Sequence, residues 1–204
     1  MKLKNKIVAL FLTVACAFGL AVAGNAQKVD AAEFGVTIEN ADVVATFDFG
    51  ANGSAAHVDG SDLGTSKSYT ADGYTLALSG MSKVYGPAYD AKGNSAIKLG
   101  TSSKTATFTF TVADDVNYVA IYAAQYKANT SKVSVNGTAY TLSSASNNGE
   151  YDVIALDTSS TKTITFATVS GGVRCMINTI EFYKAAGTIV EKTDAEKLQL
   201  LKKI

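Results

Sequence analysis

The stretch Thr105-Ala106-Thr107-Phe108-Thr109-Phe110-Thr111-Val112 alternates without a break between hydroxyl and apolar side chains. A period of two belongs to the β-strand, whose successive side chains leave by opposite faces. Ala106, Phe108, Phe110 and Val112 therefore share one face, and the threonines share the other. A helix would scatter these residues around its surface. Thr and Phe also suit a pleated, half-buried surface. Asp114-Asp115 breaks the run, and residues 118–124 (YVAIYAA) follow, apolar on both faces. That second run reads as a central strand of a packed sheet.

The same period recurs along the chain. Residues 43–49 alternate so that Val43, Ala45, Phe47 and Phe49 share one face, and residues 74–78 (YTLAL) read as another alternating strand. Residues 96–99 form a short strand. Residues 133–140 (VSVNGTAY) form a hairpin, because Asn136-Gly137 tolerates the positive φ angles of a type I′ turn. Residues 151–156, 162–169 and 175–183 complete a set of about ten short strands with no helix among them, the pattern of an all-β antiparallel β-sandwich. The sandwich is expected over residues 41–184, with the first strand (43–49) near the last (175–183). Its core is expected to hold Phe47, Phe49, Leu76, Leu78, Phe108, Phe110, Val119, Ile121, Ile164, Phe166, Ile180 and Phe182. Each sheet should keep one face dry and one wet.

Residues 1–26 read as a secretory signal peptide: Lys2, Lys4 and Lys6, an apolar run from Ile7 to Val22, then small residues. Cleavage fits after Ala23 or after Ala26. Cys16 lacks the aliphatic residue that opens a lipoprotein signal, so lipid anchoring is not expected. Loss of three lysines would leave 15 basic against 18 acidic residues, a net charge of −3. Such a balance gives no footprint for nucleic acid. Cys175 would be the remaining cysteine, a small buried apolar residue with no partner for a disulfide. Residues 27–40 read as a polar spacer. Residues 185–204 read as a tail with a short helix, capped at Thr193 and apolar at Leu198, Leu201 and Ile204.

Four segments, taken in order, carry a resemblance: TATFTFTVADDVNYVAIYAA (105–124), SKVSVNGTAYTL (131–142), GEYDVIALDTSSTKTITFATV (149–169) and INTIEFY (177–183). They resemble the galactose-binding-like jelly-roll sandwiches of secreted bacterial proteins, a group that includes many carbohydrate-binding modules. The resemblance implies a non-catalytic binding domain of that fold. Two departures stand out. Trp is absent, and the closing strand carries Asn178 where related modules often carry Asp, which weighs against a structural calcium. No other cofactor is expected.

Motifs for a nucleophilic serine, a zinc helix, a dinucleotide or a phosphate loop are absent. His57 is the single histidine, so no multi-histidine metal site can form. Glycoside hydrolysis needs two carboxylates about 5–10 Å apart. Asp48, Asp59, Asp62, Asp90, Glu150, Asp152 and Glu181 are available, and spacing singles out no pair. A secreted, monomeric binding module for extracellular carbohydrate is the first reading. The alternatives are a structural or adhesive module for a cell-surface protein, and then a glycan-active enzyme.

Strict alternation of strand direction would bring loops 50–73, 100–103, 125–131, 143–150 and 169–174 to one end. That end would gather His57, Tyr126, Lys127, Asn129, Asn147, Asn148 and Arg174, an aromatic face with amide and guanidinium groups. Loop 80–94 would fall at the opposite end and carry Tyr85 and Tyr89, either as a second aromatic platform or as a plug over the core.

Overall fold

The computed structural model of the chain describes residues 34–49, 61–89, 95–127, 129–169 and 174–186. The leader, His57, the side chains of Tyr89 and Asn147, and the expected C-terminal helix lie outside the described residues. The regular structure among the described residues is all strand apart from a one-turn 3-10 helix at Ser146–Asn148.

Two sheets face each other. The first contains β1 (Phe34–Gly35), β2 (Ala41–Asp48), β5 (Val84–Tyr89), β6 (Ser95–Leu99), β8 (Tyr118–Gln125), β11 (Asp152–Asp157) and β13 (Cys175–Ala185). The second contains β3 (Lys67–Ala71), β4 (Tyr74–Ser82), β7 (Thr107–Thr111), β9 (Lys132–Val135), β10 (Thr138–Thr141) and β12 (Thr163–Thr168). Every strand pair is antiparallel except β1 with β11. This is the antiparallel β-sandwich that the alternation and the galactose-binding-like resemblance led us to expect.

The long closing strand β13 organises the first sheet. It pairs with β8 along one side; on the other, Cys175–Ile177 pair with β6 and Thr179–Ala185 with β2. A bulge at Asn178 separates the two partners. The first and last strands of the expected sandwich thus lie side by side. All twelve expected core residues are buried. Phe182 joins the layers: its ring lies 4.9 Å from Phe47 in its own sheet and 6.3 Å from both Phe110 and Tyr74 in the other. Phe108 stacks on Phe166 at 5.3 Å within the second sheet. On the opposite face of β7, Thr109 meets Thr165 and Thr111 meets Thr163, each at 3.1 Å, which accounts for the threonine stripe.

The structure corrects several expectations. Residues 34–40 are not spacer, because β1 pairs with β11 and Ile38 is buried. Two residues of strand are too short to leave a periodic signal. Residues 67–71 are not loop; they form β3, turned back on β4 by Asp72 (φ 51) and Gly73 (φ 83). That Asp-Gly turn is the same device as Asn136 (φ 48) and Gly137 (φ 85). Residues 80–94 are not one long loop either, since β4 runs to Ser82 and β5 begins at Val84. Lys83 (φ 56) turns the chain from one sheet into the other, so strand direction does not simply alternate.

The outer face of the first sheet is not wet throughout. Ile38, Ala41, Ala120, Ala155 and Tyr183 form a buried cluster there, and Ala96 and Met176 form another. Between them Glu181 accepts hydrogen bonds from the hydroxyls of Tyr122 (2.8 Å) and Tyr183 (2.7 Å). Burial, together with that carboxylate, pushes both tyrosine hydroxyls far above their ordinary range, so they stay protonated donors.

Candidate functional site

Of the five loops expected at one end, parts of three (100–103, 125–131 and 143–150) adjoin the start of β13, whereas residues 67–71 of loop 50–73 form β3 in the other sheet, and residues 50–60 and 170–173 lie outside the described residues. Gln125 donates its backbone N–H to Ser144 O (2.9 Å), and Lys127 N–H donates to Ser146 Oγ (3.1 Å). Cys175 lies opposite both Gln125 and Leu99. Ser131, fully buried, shares its hydroxyl proton between the carbonyls of Asn129 and Arg174, which ties the segment entering β9 to the residue just ahead of β13.

Asp152 anchors the neighbouring loop. It takes hydrogen bonds at 2.6–3.1 Å from the backbone and hydroxyl groups of Ser143 and Ser144. Burial alone would raise its pKa; the hydrogen bonds from Ser144 and Ser143 outweigh burial and hold the carboxyl below its usual range. A depressed folded-state pKa contributes stability above the unfolded value, about 3.9, and that contribution is lost as pH falls through the folded value. Asp152→Asn should therefore lower the urea midpoint at neutral pH and flatten its fall below about pH 4. An acid limb of unchanged slope in the variant would show that Asp152 does not supply it.

Tyr126 is half-buried against the Ala96–Met176 cluster on the outer face of the first sheet. The Arg174 guanidinium carbon lies 4.6 Å from its ring centroid, Lys127 Nζ 5.6 Å and Lys98 Nζ 5.9 Å. Lys98 Nζ also sits 4.6 Å from the ring of Tyr85. Ile97 and Leu99 are buried in the core, which turns Lys98 outward on β6. Tyr85, paired with Lys98 across β5 and β6, thus belongs with Tyr126 and not at the opposite end. Tyr126 packs on this outer cluster and not on the main core, and among the described residues Arg174 sits over its ring and pairs with no carboxylate.

Of the other sequence candidates, Asn129 closes a turn: its N–H and its side-chain amide both donate to Tyr126 O at 3.3 Å. Asn148 is exposed, and its N–H closes the 3-10 turn on Ala145 O at 2.9 Å. Tyr89 lies on β5, paired with Ser95. Sequence reasoning missed Lys98. The alternation Ile97-Lys98-Leu99 placed it on an outer face, yet nothing local named its neighbours across the sheet.

Among the described residues, no group of three or more His, Cys, Asp or Glu side chains could hold a metal ion. No helix among them is long and apolar enough to cross a membrane. Cys175 is buried, and burial raises its thiol pKa far above the usual value.

No protein-family model and no curated protein sequence matches this chain. Solved structures with a similar sandwich include the carbohydrate-binding module CBM36 in complex with calcium and xylotriose, at 15% identity and a TM-score of 0.32, over 50% of this chain and 91% of that one. The exo-beta-1,3-galactanase of Phanerochaete chrysosporium matches at 16% identity and a TM-score of 0.33, over 60% of this chain and 30% of that one. A peptidoglycan O-acetylesterase matches at 15% identity and a TM-score of 0.35, over 71% of this chain and 35% of that one. The chain thus spans about a third of the two enzymes. None of these likenesses bears on a ligand or an activity here.

Proposed function

We propose that the chain is an exported, non-catalytic module that binds extracellular carbohydrate through Tyr85, Lys98, Tyr126 and Arg174. The observation that carries this reading is the sharing of Lys98 between the two tyrosine rings, with Arg174 stacked on one of them. A pyranose ring has an apolar face, which suits a tyrosine, and a rim of hydroxyls, which suits ammonium and guanidinium donors. The non-catalytic reading is supported by how four of the described carboxylates are used. Glu181 is held by two tyrosines, Asp152 by Ser143 and Ser144, Asp157 by Ser159, and Asp115 by Tyr74 and Lys184. Each serves the fold. The export part of the reading is supported by the lysine-led apolar stretch at residues 1–26.

A glycan array followed by titration of the bound sugar tests the reading. Arg174→Ala should weaken binding by about 1–3 kcal/mol, the scale of a charged hydrogen bond, with little change in Tm. Tyr126→Ala should also weaken binding but lower Tm, because that ring covers Ala96 and Met176. A chain that binds no glycan is not this module, and a cell-surface protein partner would take its place. A lowered Tm with unchanged affinity in Arg174→Ala would make the arginine structural.

A further inference from the structure

The cluster carries more positive charge than sugar hydroxyls require. Lys98, Lys127 and Arg174 surround two tyrosine rings within 4.6–5.9 Å of their centroids. The whole chain is neutral in sum, with 18 basic and 18 acidic residues, so this concentration is local. Among the described residues, none of the three cations forms an ion pair with a carboxylate, whereas Lys184 pairs with Asp115 at 3.5 Å. Among the described residues, the carboxylates near the cluster accept hydrogen bonds from other groups. Asp152 serves Ser143 and Ser144, and Asp62, which forms an isolated bridge with Tyr85, accepts from Gly64 N–H at 2.9 Å. Glu150 is exposed and forms no ion pair with any of the three.

Three like charges held close together repel one another, and a ring face is a weak partner for a cation that water still reaches. A charge-assisted hydrogen bond to an anion is a better one, and a guanidinium fork accepts a carboxylate or sulfate in two parallel bonds. We infer that this face binds an anionic polysaccharide, with its carboxylate or sulfate group held by Lys98 and Arg174 and its sugar ring on Tyr85 and Tyr126. Lys127, exposed on the adjoining turn, adds attraction at longer range. The inference rests on the carbohydrate reading above and narrows its ligand class.

Titration of the full chain with polygalacturonate, with the same polymer after carboxyl reduction, and with dextran sulfate tests it. Binding to the carboxylate polymer, the sulfate polymer or both is expected, with none or about tenfold less to the reduced polymer. Affinity should fall about tenfold or more as salt rises from about 0.05 to 0.5 M, because screening shortens the reach of exposed charges. Lys98→Gln and Arg174→Gln should each weaken binding about tenfold, and Lys67→Gln on β3 of the other sheet should not. Which polymer binds names the anion. Equal binding to charged and reduced polymers overturns the anionic inference and leaves the carbohydrate reading standing. Equal weakening by Lys67→Gln overturns it as well, since attraction would then belong to no one face. Failure to bind these polymers or any glycan removes both.

Discussion

Truncating Phe182 to alanine is expected to destabilise the protein by about 3–5 kcal/mol, the range for deleting a buried phenylalanine. The ring is fully buried and touches Phe47, Tyr74 and Phe110, so both sheets lose a contact at one point. The cavity would lie between layers of paired strands, where backbone hydrogen bonds resist collapse and keep the cost near the upper end. Urea denaturation followed by circular dichroism measures it. A loss below about 1 kcal/mol would mean that the two sheets do not meet at this ring.

Gly35→Ala is expected to release β1 from β11. A Cβ at this position would lie 1.9 Å from the carbonyl oxygen of Ala155, and the residue has φ 98, a conformation that alanine avoids. Backbone, unlike the end of a flexible side chain, cannot yield. The pairing of Phe34 with Ile154 and of Gly35 with Ala155 would open, and Ile38 would lose its cover. Uncovering Ile38 and part of Phe34 corresponds to about 2–4 kcal/mol. Amide exchange reports it locally: Val36 N–H, which donates to Ala155 O at 3.1 Å, should lose its protection. Wild-type stability with Val36 still protected would place β1 elsewhere.

The amino-acid sequence by itself determined the fold class, most of the strands and the composition of the core. Alternation is a local property: once Phe108 and Phe110 face inward, Thr109 and Thr111 must face out, whatever the partner strands are. The Asn136-Gly137 hairpin was legible for the same reason, because its φ angles concern those two residues alone. Asp72-Gly73 offered an equal local signal inside a stretch whose polarity suggested only loop. The candidate site was legible in part. Tyr126 and Arg174 came together because adjoining loops converge, yet the turn at Asn129 is tied to Arg174 by a buried hydroxyl, Ser131, that no pattern announces. Tyr85 and Lys98 were placed by tertiary structure alone. Their position depends on Lys83 carrying the chain from one sheet to the other and on β6 sharing the edge of β13 with β2. A period of two says which face a side chain takes, but which strand lies beside it is decided by packing across the whole sandwich.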